Sequence, residues 1–385
     1  MANTSAPLSV PSQGGGGTQV DNMPVATSAY DQATWHANGQ IKSYLLERVP
    51  KFRALTEARD KGWKNPAGDE YFAKQRRQAD NSNDQQARYF FDMMKRVGRE
   101  IHRVTGVFNV RTLGGGPPRI LDMCMAPGAF LDLAMEHNPE AHAQAFSLPL
   151  EKGGHKVLIP PHPNIAINFV DITMLGADMG LDAIPQEHPE AQDFLPRHVS
   201  LEDAFDIVIC DGQVLRTHHR AAYRESREAA RLTFTQLAIA LEHVKPGGTM
   251  LVLLHKIESW RCALALRTFC EFSDVRLFKQ RSAHATRSSC YMVASNIRPQ
   301  HQDAVRAVST WKALWEAATF DTEEEFCRLS LSLEPDVEEV LEDFGPRLVQ
   351  LGRKVWETQA NALEKAPFVR SSGTWRRASD QPQDP

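Results

Sequence analysis

Several features that would define a protein class are missing from this sequence of 385 residues. No apolar run approaches the roughly 18 residues that a membrane-spanning helix requires. The first residues lack a basic stretch followed by an apolar one, so we expect no secretory leader. The 6 cysteines form no C-x-x-C pair, which favours free thiols in a reducing compartment, either the nucleus or the cytoplasm.

An overall excess of positive charge is also missing. The 44 basic and 48 acidic side chains give a net charge of −4, which excludes a uniformly basic nucleic-acid-binding protein but not a local basic surface. Residues 41–105 carry 15 basic and 9 acidic side chains, whereas residues 301–385 carry 10 and 16. The basic segment is either a solvated helix surface or a platform for phosphates, and composition alone favours the first.

The chain divides into five segments by composition and periodicity. Residues 1–29 and 366–385 are polar and poor in large apolar side chains, so we predict disordered tails there. Residues 30–105 and 300–365 have apolar positions at helical spacing and are predicted to be helical extensions. Between them, residues 106–299 alternate β-branched apolar runs with helical stretches, which predicts one α/β domain.

This alternation predicts a doubly wound, mostly parallel sheet of seven strands with helices on both faces. The short connection before the last strand predicts an antiparallel hairpin at the sheet edge. The expected strands are Arg119–Cys124, Ala143–Ser147, Asn164–Val170, Phe205–Cys210, Met250–Leu254, Val275–Phe278 and Cys290–Ser295, and the expected helices are Phe130–His137, Ala221–His243 and Trp260–Phe272.

The clearest local motif runs from Ile120 to Phe130 and reads Ile-Leu-Asp-Met-Cys-Met-Ala-Pro-Gly-Ala-Phe. An apolar strand ends in Asp122, and a turn of small residues leads into a helix. Small side chains let a ligand approach the backbone at the carboxyl end of a strand, and a helix N-terminus adds positive potential. An ordinary strand-to-helix turn is the alternative, and the motif alone does not decide between them.

The motif set as a whole resembles the FtsJ-like S-adenosylmethionine-dependent RNA ribose 2′-O-methyltransferases over about residues 90–296. The first motif is similar to the family's Asp-x-x-x-Ala-Pro-Gly-x-Phe, and the others follow in the family's order. They are Ala145–Leu148, similar to a Gly-Phe-Thr-Leu turn of the cap-methylating branch, then Phe169–Thr173, Phe205–Gly212, Lys245–Lys256 and Arg287–Val293.

The resemblance implies a Rossmann-like methyltransferase domain, S-adenosylmethionine as the cofactor and RNA as the substrate. It also implies which residues contact the cofactor. These are Asp122, Ala126, Pro127, Gly128, Phe130, Ser147, Leu148, Asp171 and Asp211.

The resemblance further implies a catalytic Lys-Asp-Lys-Glu tetrad, matched by Lys95, Asp211 and Lys256, with Ser289 at the position of the Glu. A ribose hydroxyl is a poor nucleophile and needs a base, and a lysine is a base only when its pKa falls toward neutrality. We expect Lys95 to remain charged and to lower the pKa of Lys256, the general base. Ser289 departs from the family and removes a negative charge, which Glu258 or Glu225 would have to replace.

Two other functions stay open at this stage. Ser289 and the acidic C-terminal region fit a catalytically weakened cofactor- or RNA-binding module, and the same fold serves methyltransferases with acceptors other than RNA. No motif supports a protein partner for the C-terminal helical region. We expect no metal site, because the His218-His219 pair has no further His or Cys at ligand spacing and is interpreted as a pair of surface histidines.

Overall fold

A computed structural model describes residues 28–80, 83–110, 116–215, 217–281 and 283–370 of the chain. Most of the two predicted tails lies outside these ranges, so disorder there stays a prediction. No helix in the described part of the chain is long and apolar enough to cross a membrane.

The N-terminal extension is helical, as predicted. Its helices are α1 (Ala29–Arg48), α2 (Pro50–Trp63), α3 (Pro66–Asp80) and α4 (Asp84–Thr105). Ser28 and Asn83 cap α1 and α4 in reciprocal side-chain-to-backbone boxes. Helix α4 ends at Gly106, whose φ of 70° lies in the left-handed region that favours glycine.

The seven-stranded sheet confirms the predicted fold class. Its strand order is β3-β2-β1-β4-β5-β7-β6, in which β1 to β5 are parallel and β7 is antiparallel to both β5 and β6. The strands are β1 (Arg119–Asp122), β2 (His142–Ser147), β3 (Ile165–Phe169), β4 (Phe205–Cys210), β5 (Val244–His255), β6 (Asp274–Phe278) and β7 (Ser289–Ser295). The chain order reverses between β1 and β4, where open α/β sheets form a ligand crevice at the carboxyl ends of their strands.

Three helices belong to the α/β domain: α5 (Ala129–His137), α6 (Glu228–His243) and α7 (Trp260–Phe272). The prediction of one helix from Ala221 was wrong at its start, because residues Ala222–Arg224 form a separate 3-10 turn and α6 begins at Glu228. The side chain of Arg224 in that turn is buried among carboxylates, so ion pairing decides the local conformation.

The C-terminal extension consists of α8 (Gln302–Phe320), α9 (Glu323–Leu333), α10 (Val337–Glu364) and α11 (Pro367–Arg370). Helix α11 corrects the predicted tail, which was to begin at residue 366. Phe368 and Val369 are buried, and the ring of Phe368 lies 4.9 Å from that of Tyr71 and 5.4 Å from that of Phe72 on α3. Aromatic packing therefore orders residues 367–370.

The two faces of the sheet are covered by different helices. Leu121, Val208 and Met250 share one core with helices α1, α2, α6, α7, α8 and α10. The alternate residues Ile120 and Ile207 face a second core with α4 and α5, as the two-residue period of a strand requires. Helices from both ends of the chain thus bury one face of the sheet together.

Two helical glycines provide a test of this packing. A Cβ at Gly352 of α10 would lie 2.4 Å from the buried Trp356 ring, whereas a Cβ at Gly39 of α1 would meet open space. Both alanine variants gain helix propensity, so the difference between them reports packing. We expect Gly352→Ala to lower the free energy of unfolding by about 1–3 kcal/mol and Gly39→Ala to raise it by about 0.5–1 kcal/mol, both by chemical denaturation. Equal effects would contradict the packing of Trp356 on Gly352.

Candidate functional site

Two carboxyl groups lie side by side at the point where the strand order reverses. Asp122 ends β1 and Asp211 follows β4, and these two strands pair in parallel register. Asp122 is only 1% exposed, and its Oδ1 accepts a hydrogen bond from the Cys124 backbone N–H at 3.2 Å. Within the described residues, neither carboxyl takes part in an ion pair.

Burial dominates the electrostatics of this pair. It raises the pKa of Asp211 to about 7. Burial and then the charge of Asp211 raise the pKa of Asp122 well above its usual range. A ligand that carries positive charge would be stabilised here, because it would supply the cation that the described side chains do not provide.

The turn between β1 and α5 has the shape that the motif predicts. Gly128 has a φ of 106° and is the N-cap residue of α5. Glycine is required here because the side chain of Ile159 packs against this position: a Cβ on residue 128 would lie 2.5 Å from Ile159. The backbone N–H of Leu158 also donates to the Pro127 carbonyl at 3.0 Å. The segment around Ile159 therefore packs against the turn that includes Ala126, Pro127 and Gly128.

The other residues that the resemblance predicts to contact the cofactor do not all lie at this edge. Ser147 ends β2 and Leu148 follows it. Both lie at the same edge of the sheet as Asp122, two and three residues beyond Ala145, which pairs with Asp122. The ring of Phe130, by contrast, is buried against Tyr291 at a centroid distance of 5.3 Å. Phe130 supports the turn from the core.

Asp171 is committed to a network that the sequence did not reveal. Its Oδ1 accepts hydrogen bonds from the backbone and hydroxyl of Thr173 at 3.0 and 2.8 Å. Its Oδ2 lies 3.3 Å from Nη1 of Arg224, a buried side chain that also contacts Glu190 and Glu228. Arg224 stands in no recognisable motif, so only the fold identifies it as the partner of Asp171.

Lys256 and Ser289 lie together at the end of β5. The last residue of β5, His255, pairs with Ser289 of β7. The backbone N–H of Lys256 donates to the Ser288 carbonyl at 3.0 Å, and its carbonyl accepts from Ser259 at 2.7 Å. Lys256 is exposed and has a left-handed φ of 61°, which is uncommon for a residue with a side chain and often accompanies a functional constraint. Strand β4 pairs with β5 and Cys210 lies opposite Val252, so Lys256 lies at the same edge of the sheet as Asp211 but farther along the strand direction.

Lys95 is placed differently from the expectation. Its Nζ lies 2.6 Å from both Asp132 and Glu136 on α5. Burial would lower the pKa of Lys95, but the hydrogen bonds that its ammonium donates to these carboxylates raise it above its usual value, so Lys95 stays charged. No hydrogen bond or ion pair of the described residues joins Lys95 to Asp211, and the expected effect of Lys95 on Lys256 stays a prediction.

Glu225 and Glu258 are the two candidates to supply the carboxylate that is missing at Ser289. Glu225 forms a surface ion pair with Arg220. Glu258 is buried and paired with Arg59 of α2 at 2.6 Å, a partner that sequence reasoning missed because no motif includes it. Of the two, only Glu258 lies on the segment that follows Lys256.

The expectation of surface histidines is wrong for His218. Its side chain is half-buried, and its Nδ1 accepts from the Leu215 backbone N–H at 3.3 Å. Burial, and then the neighbouring His155 and Arg220, lower its pKa to about 4. In the part of the chain that the structure describes, no group of three His, Cys, Asp or Glu side chains is arranged to hold a metal ion.

The chain matches the model of the FtsJ-like methyltransferase family over residues 99–297, which is about half of its length. No curated protein matches it. Among solved structures, it is similar to an O-methyltransferase family protein from Burkholderia thailandensis, with 14% identity, a TM-score of 0.30 and coverage of 57% of this chain and 62% of that one. It is also similar to human methyltransferase-like protein 13 in complex with SAH, with 12% identity, a TM-score of 0.31 and coverage of 60% and 89%.

The raised pKa of Asp211 predicts how the stability of the protein depends on pH. Because its pKa in the fold is raised to about 7, the folded state loses stability as pH rises from the ordinary aspartate value of about 4 through that value. Asp211→Asn removes this cost. We expect the variant to unfold at a higher temperature than wild type at pH 8 and at the same temperature near pH 4. The exposed Asp182→Asn serves as the control and should change neither, and an equal gain by both variants would contradict the burial of Asp211.

Proposed function

Because the chain belongs to the FtsJ-like methyltransferase family and its cofactor is S-adenosylmethionine, we propose that it methylates a ribose 2′-OH of RNA, with Lys256 as the general base. One observation carries the proposal. Asp211 and Lys256 follow the adjacent parallel strands β4 and β5, with Lys256 farther along the strand direction because Cys210 pairs with Val252. A partly buried carboxyl and an exposed amine therefore both lie at the edge where ligands bind in such sheets.

The carboxyl groups at this edge fit the cofactor by charge. The cofactor, when bound, supplies a methyl group on a positively charged sulfonium. Asp122 and Asp211 would hold its positive charges, and the turn from Ala126 to Gly128 would contact it through the backbone. Ser147 and Leu148 would border it on the β2 side. Asp171 would contact the cofactor through the part of its carboxylate that Arg224 does not cover.

Lys256 would take the proton of the ribose hydroxyl. Its exposed side chain leaves the amine accessible to an acceptor. Backbone hydrogen bonds with Ser288 and Ser259 fix its left-handed conformation. Positioning supplies much of the rate in transfers of this kind, and a base adds roughly 10²–10⁴-fold.

The surface of α4 favours RNA as the acceptor. Four cationic side chains and two acidic ones line an open groove beside the segment that packs on the motif turn. The cations are Arg88, Lys95, Arg96 and Arg99, the acids are Asp92 and Asp132, and Leu158 and Pro160 also line the groove. Tyr89 is 65% exposed and Phe90 38% exposed, and the Arg96 guanidinium lies 6.0 Å from the Tyr89 ring centre. Cationic side chains interleaved with exposed aromatic rings suit a phosphate backbone and its unpaired bases, which favours the phosphate platform over a plain solvated helix.

The weakened-module hypothesis is the second candidate. Its support is that Asp132 and Glu136 neutralise Lys95, while Ser289 removes a carboxylate from the acceptor side. This hypothesis predicts cofactor binding without turnover on RNA.

Lys256 variants test the base directly. Methyl transfer from radiolabelled S-adenosylmethionine into total RNA, with nuclease digestion to locate the label, should place it on ribose in the wild type. Lys256→Ala should lose at least about 100-fold in rate and keep its cofactor affinity by calorimetry. Lys256→Arg should be equally inactive, because a guanidinium keeps the charge but cannot give up its proton. An active Lys256→Arg would exclude a base at this position, and wild type that binds cofactor without labelling RNA would favour the module.

Cofactor affinity should depend on pH through Asp211. A positively charged ligand favours the ionised carboxylate, so affinity should increase as pH rises from about 6 to 7.5, and binding should release a proton, because the pKa of free Asp211 is raised to about 7. Calorimetry in two buffers of different ionisation enthalpy measures that proton. Asp211→Asn should bind more weakly with a flatter pH profile, and comparison of the two proteins cancels the ionisation of the cofactor itself. A wild-type profile as flat as that of the variant would argue against Asp211 as the cation partner.

A further inference from the structure

The segment after Lys256 is held by helices from both ends of the chain. Glu258 is 5% exposed. Its Oε1 lies 2.6 Å from Nη1 of Arg59 on α2, and its Oε2 accepts a hydrogen bond from Nε1 of Trp356 on α10 at 3.1 Å. Both carboxylate oxygens of a residue two positions from Lys256 are therefore bound by the extensions, outside the α/β domain.

The same extensions also bind the connection between β6 and β7, which accepts a hydrogen bond from the Lys256 backbone. Nη2 of Arg59 donates to Oγ of Ser288 at 3.2 Å and to Oε1 of Gln359 at 3.0 Å. Nε2 of Gln359 donates to the carbonyl of Thr286 at 3.1 Å. Since the Ser288 carbonyl is the acceptor for the Lys256 backbone N–H, Arg59 contacts both segments that fix the backbone of Lys256.

The charges of this network reach Lys256. Burial would raise the pKa of Glu258, but Arg59 and Lys256 hold it below its usual range. His255 at the end of β5 interacts with Lys256, Glu258, Arg59 and Lys279, and Arg287 of the β6–β7 connection is a further cation beside Lys279. Without the carboxylate of Glu258, the groups around Lys256 would be mainly cations.

Attachment of α2 and α10 to the α/β domain does not by itself explain the Arg59–Glu258 ion pair. A buried ion pair is seldom more stabilising than apolar packing of the same volume. Helix α10 is also fastened to α7 by an exposed ion pair between Asp343 and Arg267, at 3.0 Å. An ion pair is needed beside Lys256 for a different reason, namely that the charge near a catalytic amine sets how readily the amine becomes neutral.

We propose that Arg59 and Glu258 are positioning residues for Lys256: helices α2 and α10 fix the loop that carries it, and the ion pair balances the charge beside its amine. This inference rests on the proposed role of Lys256 as the base. It also accounts for Ser289, because the acceptor side regains a carboxylate from Glu258, a different place in the sequence.

The test replaces each half of the pair by a neutral residue of similar shape. The measured quantity is the pH midpoint of Lys256 acetylation by acetic anhydride in the full chain, quantified by mass spectrometry of the Lys256 peptide, which needs no turnover. Glu258→Gln leaves Arg59 unpaired, so the midpoint should fall by about one pH unit. Arg59→Gln leaves Glu258 unpaired, so the midpoint should rise by a similar amount. The double variant should titrate close to wild type.

Two further variants separate charge from fastening. Asp343→Asn breaks an ion pair of the same helix α10 away from Lys256 and should leave the midpoint unchanged. Arg59→Lys keeps the buried carboxylate paired and should fold even if a neutral single variant does not. Because an ammonium lacks the planar fork that reaches Ser288 and Gln359 together, Arg59→Lys should keep the midpoint but slow methyl transfer about 10-fold, with unchanged cofactor affinity.

The outcomes distinguish this inference from the proposed function. Midpoints that stay fixed, or that move in the same direction in both neutral single variants, overturn the charge-balancing role. Full methyl transfer by Arg59→Lys overturns the positioning role. Absence of ribose label from the wild type, with midpoints that move in opposite directions, would contradict the proposed function and leave the coupling of the pair to Lys256 established.

Discussion

The placement of Asp122, which is buried, beside the partly buried Asp211 at the reversal of strand order is the constraint on which the site depends. Two adjacent carboxyl groups in the interior of a sheet edge cost free energy, and no described ion pair offsets that cost. The two apolar cores that enclose the sheet offset this cost. The unfavourable arrangement is what prepares the edge for a cationic ligand, since binding supplies the missing charge.

The helical extensions complete the same edge from the acceptor side. Residues of α2 and α10, far apart in the chain, meet at Glu258, and Trp356 packs edge to face on Phe52 at 5.3 Å. Apolar packing between α2 and α10 thus holds Arg59 and Trp356 where both bind Glu258, beside the loop of Lys256. Arg59 of α2 contacts Ser288, whose carbonyl accepts from the Lys256 backbone N–H, so helices outside the α/β domain support the conformation of this loop.

Much of the fold was predictable from local pattern. Six of the seven strands were expected within two residues of their observed bounds, whereas β5 begins at Val244, six residues before the expected start at Met250. Helix α7 begins and ends where its periodicity indicated. The errors in the helices share one cause. Helix α6 starts later because Arg224 pairs with distant carboxylates, and α11 is ordered because Phe368 packs on α3. In each case a contact between segments far apart in sequence overrides the local preference.

The sequence by itself determined the order of the strands and helices, the turn around Gly128 and the placement of Asp122, Asp211 and Lys256 at strand ends, because these depend on contiguous residues and their periodicity. The tertiary structure alone decided which charges meet. It joined Lys95 to Asp132, Asp171 to Arg224 and Glu258 to Arg59. The physical reason is that an ion pair depends on the distance and burial of two side chains, and both quantities exist only after the segments have packed.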